Sequence, residues 1–244
     1  MSGDMNRRAL IKGSLAAGAM LALPGRALAQ AVGSDFERLF RAAGSEQVTP
    51  PVAEAVVQPL PPPLPTYAPP NPAYDRKVLE IAKREVERAG PAVWRRDIVG
   101  VADFGRPSSL PRFHFANLEN GTIRSFYVAH GRGSDPEHSG FLRSFSDVPG
   151  SEATSRGAYL TAEWYRGKYG TSIRLVGLDR ENHTALERAI VMHPAAYAAP
   201  SHIAQFGKLG RSEGCFAMAP EQFNEALWNL SGGRLLYADR IDVA

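Results

Sequence analysis

The sequence predicts a mainly β domain of the β-rich α+β class, with few helices, behind a signal peptide and a proline-rich linker. Of its 244 residues, 44% are hydrophobic and 22% are charged, which is typical of a soluble globular protein with a packed core. Ten of the 19 prolines lie between Pro50 and Pro72. After them, short β-like segments separated by glycine-containing turns outnumber the helical patterns, which favours an antiparallel or mixed sheet over a doubly wound parallel one.

The first 29 residues have the pattern of a signal peptide. The pair Arg7-Arg8 precedes an uncharged run, Gly13 to Gly25, and the small-residue sequence Ala27-Leu28-Ala29. These 13 uncharged residues would rise only ~20 Å as a helix, against a hydrocarbon core of ~30 Å. Cleavage after Ala29 is therefore favoured over a stable transmembrane span. The paired arginines resemble a twin-arginine export signal, with Sec export or an uncleaved anchor as alternatives. Either export route predicts a bacterial protein of the periplasm or cell envelope.

The charge distribution argues against a nucleic-acid partner. The formal net charge is +3, and the whole excess lies in residues 1–29, so the remainder of the chain is formally neutral. Binding to phosphates needs a concentrated basic face, and the sequence contains neither such a face nor a nucleic-acid-binding motif.

Residues 30–73 are predicted to be a linker, and residues 74–244 a single domain. Proline fixes φ and removes backbone donors, so the segment around Pro61-Pro62-Pro63 is expected to be an extended spacer. It either gives reach away from a membrane or wall, or is a solvated tail.

One helix and one hairpin begin the domain. Asp75 can cap a helix whose apolar residues recur at helical spacing from Val78 to Ala89 and stop at Gly90-Pro91. Asn120-Gly121 then separates two β-like segments and supplies the positive φ of a tight hairpin turn. The strand and helix predictions are strands at 98–102, 113–118, 122–128, 172–178, 189–193 and 234–238, and a further helix over 220–232.

Cys215 is the only cysteine of the chain, so an internal disulfide is excluded. A lone cysteine can be a small buried hydrophobe. Its neighbours in Gly210-Arg211-Ser212-Glu213-Gly214-Cys215 are instead small, polar and charged, and Gly214 leaves room for a substrate beside the sulfur. A nucleophilic thiol needs a base or a positive field.

Two of the six histidines are placed to be that base. His193 ends the apolar run Ala189–Met192, and His130 ends a hairpin strand before Gly131-Arg132-Gly133-Ser134. Structural or solvated roles are expected for the other four: His114, His138, His183 and His202. No HExxH motif or clustered Cys/His spacing supports a metal site.

His193, followed after 18 residues by Ser212-Glu213-Gly214-Cys215, resembles the His…Ser/Thr-x-Gly-Cys signature of the YkuD-type L,D-transpeptidases. Further blocks between Phe113 and Asp239 resemble the murein L,D-transpeptidase catalytic-domain branch of that family. These blocks are His130–Ser134, Phe145–Asp147, Gly150–Ser151, Gly157–Thr161, Tyr165–Gly170 and Gly177–Leu178.

The resemblance implies a β sandwich or open barrel and a peptidoglycan L,D-transpeptidase activity. Cys215 would attack the third-residue carbonyl of a stem peptide, release the terminal D-alanine and pass the acyl group to an amine. His193 would be the general base, with His130 as the alternative. Backbone N–H groups around Gly214 and Cys215 would form the oxyanion hole, and Ser212 would shape the turn.

The resemblance assigns His130, Tyr159 and Arg211 to substrate binding. Pro194 stands where the family usually has glycine, and Phe216-Ala217-Met218 lacks the usual arginine, so Arg211 or Lys208 would hold the substrate carboxylate. The expected partners are stem peptides and carbapenem inhibitors, with no cofactor or metal, and the protein is expected to be a monomer. Two alternatives stay open: an inactive wall-binding scaffold, and an L,D-carboxypeptidase or other cysteine peptidase.

Overall fold

The computed structural model describes residues 71–241, which form one curled sheet of eight strands with three α-helices. The strands are β1 (Ile98–Asp103), β2 (Phe113–Asn117), β3 (Thr122–Phe126), β4 (Gly157–Gly167), β5 (Gly170–Gly177), β6 (Val191–Pro194), β7 (Phe216–Met218) and β8 (Leu235–Asp239). The helices are α1 (Pro72–Ala89), α2 (Pro200–Phe206) and α3 (Phe223–Leu230). The predicted β-rich α+β class with few helices is confirmed. The expected signal peptide lies outside the described residues, and so does the expected linker as far as residue 70.

The sheet is mixed, with strand order β3-β2-β1-β8-β4-β5-β6-β7. The β1/β8 and β6/β7 pairs are parallel, and the remaining pairs are antiparallel. Parallel neighbours need a long crossover connection. The crossover between β6 and β7 carries α2 and then the segment that ends in Cys215, so the predicted nucleophile directly precedes the strand that pairs with the His193 strand.

The predicted N-terminal helix is present, but it begins earlier than expected. Asn71, not Asp75, is the N-cap, and its side chain accepts hydrogen bonds from the backbone N–H groups of Ala73 and Tyr74. Pro72 occupies the first turn, where its missing N–H costs nothing. Asp75 lies in the first turn instead, where a negative charge favours the helix dipole.

Alternation along the central strands gives the sheet two buried faces, because successive side chains of a strand point to opposite sides. Val99 and Val101 of β1 pack with α1, whereas Ala102 packs with Phe113 and α3 on the other face. The predicted Asn120-Gly121 hairpin is also present: β2 and β3 are antiparallel, and Gly121 has φ +69°.

Candidate active site

The thiol of Cys215 lies immediately before β7, in a largely covered position. The residue is only 8% exposed, and Sγ lies 3.8 Å from the carbonyl oxygen of Ala189. Burial raises the pKa of the thiol, and the carboxylate of Glu213 adds to the increase. The backbone N–H of Val191 and the guanidinium of Arg188 act in the opposite direction. Since the net shift is upward, the resting sulfur is a protonated thiol.

His193 is presented by the adjacent strand. In the parallel register of β6 and β7, His193 is opposite Ala217, two residues after Cys215. Its Nδ1 lies 3.0 Å from the carbonyl oxygen of Pro194, which can only accept a hydrogen bond. Nδ1 therefore carries the proton, and Nε2 keeps the lone pair that a base needs. Burial lowers the pKa of His193, so the imidazole is neutral near pH 7.

Two tyrosines complete the surroundings of this pair. The ring of Tyr169, from the β4–β5 turn, stacks on His193 with a centroid distance of 4.4 Å. Burial raises the pKa of Tyr197, and the nearby Cys215 and Tyr169 raise it further. Tyr169 and Tyr197 therefore line the same neighbourhood as the thiol and the imidazole. No sequence pattern indicated Tyr197, and Tyr169 was part only of the block Tyr165–Gly170 that resembles the family.

Gly214 has a backbone conformation that a residue with a side chain would not readily adopt, with φ +113°. A Cβ at this position would lie 2.8 Å from Cδ1 of Ile190 and 2.9 Å from the carbonyl oxygen of Ala153. On the other side, a Cβ added to Gly131 would come within 2.7 Å of the Gly214 Cα. The glycine is thus required by conformation and by close packing, and it places Cys215 at the end of a rigid turn.

Ser212 is hydrogen-bonded within that turn. Its hydroxyl donates to the carbonyl oxygen of Cys215 at 2.6 Å and accepts from the Gly214 N–H at 3.2 Å. The resemblance implies that the N–H groups of Gly214 and Cys215 form the oxyanion hole. Because the Gly214 N–H donates to Ser212, only the Cys215 N–H of these two remains for that role. Thr154, which the sequence analysis did not single out, donates to the carbonyl oxygen of Gly214 at 3.1 Å and is wholly buried.

His130 is completely buried and does not direct a ring nitrogen at the thiol. Nη2 of Arg112 lies 2.7 Å from Nδ1, so Nδ1 is an acceptor and the proton is on Nε2, 3.4 Å from Oδ2 of Asp135. Burial, assisted by Arg112, lowers the pKa of His130 to about 3. Its backbone carbonyl accepts from Ser212 N at 2.9 Å, so His130 supports the turn beneath the site.

The other residues assigned to substrate binding also have partners within the protein. Tyr159 is fully buried, and its hydroxyl donates to the carbonyl oxygen of Ser155 at 2.8 Å. Arg211 donates to the carbonyl oxygens of Asp135 and Pro136. Lys208 likewise donates to a backbone carbonyl, that of His138. In this structure, neither cation reaches toward an open position for a substrate carboxylate.

A pocket of about 300 Å³ adjoins the turn that carries Cys215. It is lined by Pro149, Gly150, Glu152, Glu187, Arg188 and Glu213. Arg132 connects two parts of this wall, because its guanidinium pairs with Glu152 and lies 3.7 Å from Glu213. The pocket is therefore predominantly acidic, with Arg188 as its cationic side chain.

Within residues 71–241, no group of three His, Cys, Asp or Glu side chains is arranged to hold a metal ion. In the same part of the chain, none of the helices combines the length and the apolar character that crossing a membrane requires.

Residues 71–238 match the family of the L,D-transpeptidase catalytic domain, YkuD_2. The chain belongs to this family. The match covers β1 to β7 and all of β8 except its last residue. It includes the turn between Ser212 and Cys215. No curated protein matches the sequence of this L,D-transpeptidase family member.

Several solved structures are similar to this family member at low identity. An L,D-transpeptidase from Mycobacterium smegmatis is 15% identical, with a TM-score of 0.36, and the match covers 59% of this chain and 58% of that one. L,D-transpeptidase 3 from Mycobacterium tuberculosis, in complex with a faropenem-derived adduct, is 15% identical, with 59% and 60% coverage and a TM-score of 0.39. The helical cell shape determining protein Pgp2 from Campylobacter jejuni is 12% identical, with 71% and 57% coverage and a TM-score of 0.39. The chain thus covers less than two thirds of the length of each.

Proposed function

We propose that the protein is a peptidoglycan L,D-transpeptidase that uses Cys215 as nucleophile and His193 as general base. The observation that carries the proposal is the pairing of β6 with β7: the only thiol of the chain directly precedes β7, and the neighbouring strand β6 carries a neutral imidazole with an Nε2 lone pair. Membership of the L,D-transpeptidase catalytic domain family supports the substrate class.

The reaction would proceed in two acyl transfers. His193 Nε2 takes the proton of Cys215 as Sγ attacks the third-residue carbonyl of a donor stem peptide. The protonated imidazole then gives that proton to the departing amine, so D-alanine leaves and a thioester remains. In the second transfer an acceptor amine attacks the thioester, and its proton passes through His193 back to sulfur. The Cys215 N–H would stabilise the oxyanion in both steps.

A covalent adduct is the direct test of the nucleophile. A carbapenem presents a strained carbonyl to the thiol, and ring opening adds the whole inhibitor mass without a leaving group. Intact-mass spectrometry of the wild-type protein should show this increase, and Cys215→Ala should not. An equal increase in Cys215→Ala, or none in the wild type, would contradict the proposal.

The base has a matched control within the chain. His193→Ala should lose acylation while its circular dichroism spectrum is unchanged. His183→Ala should acylate normally, because that side chain is 69% exposed and its Nδ1 contacts the carbonyl oxygen of Arg180 and Oδ2 of Asp147 rather than the thiol. Normal acylation of His193→Ala would refute the assignment of the base.

Product analysis separates the proposal from its alternatives. Incubation with muropeptide monomers should give new dimers, since transpeptidation joins two stems. Trimmed monomers without dimers would identify a carboxypeptidase, and wall binding without turnover would identify a scaffold.

Export through the twin-arginine route is part of the same proposal, because the substrate lies outside the cytoplasm. The pair Arg7-Arg8 supports it. The mature protein should appear in the periplasmic fraction, and the double substitution of both arginines by lysine should abolish this; unchanged export would refute the route.

A further inference from the structure

Arg188 is a charged residue that has no part in the sequence signature or in the proposed chemistry. Its side chain nevertheless lies against the turn that carries Cys215. Its side chain is only 4% exposed. A Cβ on Gly214 would lie 3.2 Å from Nη2 of Arg188, and the next residue, Ala189, places its carbonyl oxygen 3.8 Å from Sγ of Cys215. Arg188 therefore packs against Gly214, and Ala189 packs against Cys215.

The guanidinium of Arg188 is held in place by four hydrogen bonds from its two terminal nitrogens. Nη1 donates to the carbonyl oxygen of Ser146 at 2.9 Å and to Oγ of Ser155 at 2.8 Å. Nη2 donates to the carbonyl oxygen of Ala153 at 2.6 Å and to Oγ of Ser151 at 3.3 Å. An arginine has about five N–H donors in all, so little donor capacity remains for binding a substrate carboxylate.

All four partners are neutral, and the ion pair that the guanidinium makes with Asp147 is long, so no closely paired carboxylate cancels the positive charge. The nearest carboxylate, Oδ1 of Asp147, is 3.7 Å from Nη1 and also accepts from Oγ1 of Thr184 at 2.7 Å. A buried charge acts over a longer range than a solvated one, because protein screens it less than water does.

We propose that Arg188 is the fixed cation that favours the thiolate form of Cys215 and, through residues 146–155, holds the wall of the adjoining pocket. This inference deepens the proposed function, because it presumes that Cys215 is the nucleophile. Arg188 acts on the sulfur through its field and on the wall through hydrogen bonds, so it is a positioning residue.

The charges around the sulfur agree with this role. Burial raises the pKa of Cys215, and Glu213 raises it further, whereas the Val191 N–H and Arg188 lower it. Tyr197 also lies within electrostatic range of the thiol. The imidazole of His193 is neutral at rest. Arg188 is therefore the cation that opposes both burial and Glu213.

The pH dependence of Cys215 alkylation by iodoacetamide tests the charge directly. The full chain contains a single thiol, so the rate reports only this sulfur. Arg188→Met removes the charge, and we expect the apparent thiol pKa to rise by about one unit, which is roughly tenfold less thiolate below the pKa. Arg188→Lys keeps the charge and should stay close to the wild type. Arg180→Met, at an exposed position, controls for the loss of one positive charge elsewhere.

A second variant predicts the opposite shift. Glu213→Gln removes the carboxylate that raises the thiol pKa, so its alkylation profile should move to lower pH. Loosening of the turn cannot explain shifts in opposite directions. Because the Glu213 side chain is 61% exposed, this variant tests the electrostatic account even if Arg188→Met does not fold.

Three outcomes overturn the inference: identical profiles for Arg188→Met and the wild type, an equal shift in Arg188→Lys and Arg188→Met, or no shift in Glu213→Gln. The proposed function fails separately, because it requires a carbapenem adduct on wild-type Cys215. An unchanged Arg188→Met profile in a protein that still acylates rejects the role of Arg188 alone.

Discussion

Replacement of Gly214 by alanine is expected to destabilise the protein by about 2–6 kcal/mol. The first part of this cost is conformational. At φ +113° a residue with a Cβ lies outside the allowed regions, including the left-handed helical one, and such backbone strain costs about 1–3 kcal/mol.

The second part is steric. The new Cβ would lie 2.9 Å from the carbonyl oxygen of Ala153, which cannot easily withdraw because it accepts the 2.6 Å hydrogen bond from Arg188. It would also lie 2.8 Å from Cδ1 of Ile190, a residue 1% exposed. Overpacking of this kind costs about 1–3 kcal/mol.

Gly121→Ala is a reference variant that lacks the steric part. Gly121 also has a positive φ, +69°, but a Cβ there would have no heavy atom within 4 Å. Its cost should be conformational alone, about 1 kcal/mol. Urea denaturation of both variants gives the difference, which contains the steric cost at the turn that carries Cys215 and the additional backbone strain of φ +113° over φ +69°. If Gly214→Ala is no less stable than Gly121→Ala, the close packing around the turn is not as described.

Two further predictions concern buried polar groups away from the thiol. Burial lowers the pKa of both His114 and His130 to about 3, whereas unfolded histidine titrates near 6.5, so the unfolded state binds more protons between these values. Stability should therefore fall as the pH drops from 7.5 to 5, by roughly 2 kcal/mol per histidine; urea denaturation should show a shallower pH dependence in His114→Gln, and an unchanged slope would refute the assignment. Tyr74→Phe should cost about 1.5–3 kcal/mol, because the hydroxyl of Tyr74 donates to Oδ2 of Asp103 at 2.7 Å. Thermal denaturation measures this, and a loss below ~0.5 kcal/mol would mean that the hydrogen bond contributes little.

Local patterns were sufficient to predict those elements whose cause lies in a few neighbouring residues. The apolar spacing of α1 and the Asn120-Gly121 turn are such cases, and both are present. The N-cap was missed because Asp75 and Asn71 are both capping residues, and only the backbone geometry distinguishes them. Strand β4 was not predicted, since its second half is largely exposed and its pairing with β5 shifts between Thr161 and Trp164.

The site was only partly predictable because its parts are joined by tertiary contacts. Cys215 and His193 were found through a sequence signature, but their juxtaposition depends on the parallel pairing of β6 and β7. His130 looked suited to a substrate loop, and nothing local revealed that Arg112, 18 positions earlier, bonds to its ring. Arg188 gave no signal at all, since a buried arginine has the same sequence appearance as an exposed one.

The electrostatics of the site favour a neutral thiol and imidazole over a preformed ion pair. Burial raises the pKa of Cys215 and lowers that of His193, so proton transfer between them separates charge in a poorly solvated place. In the proposed reaction, the transfer is therefore expected to accompany attack on the substrate rather than precede it. The groups that offset its cost, the Val191 N–H and the Arg188 guanidinium, belong to the rigid frame, so they need no rearrangement when the thiolate forms. A thiol kept protonated at rest is also a poor target for oxidants, because the thiolate is the reactive form.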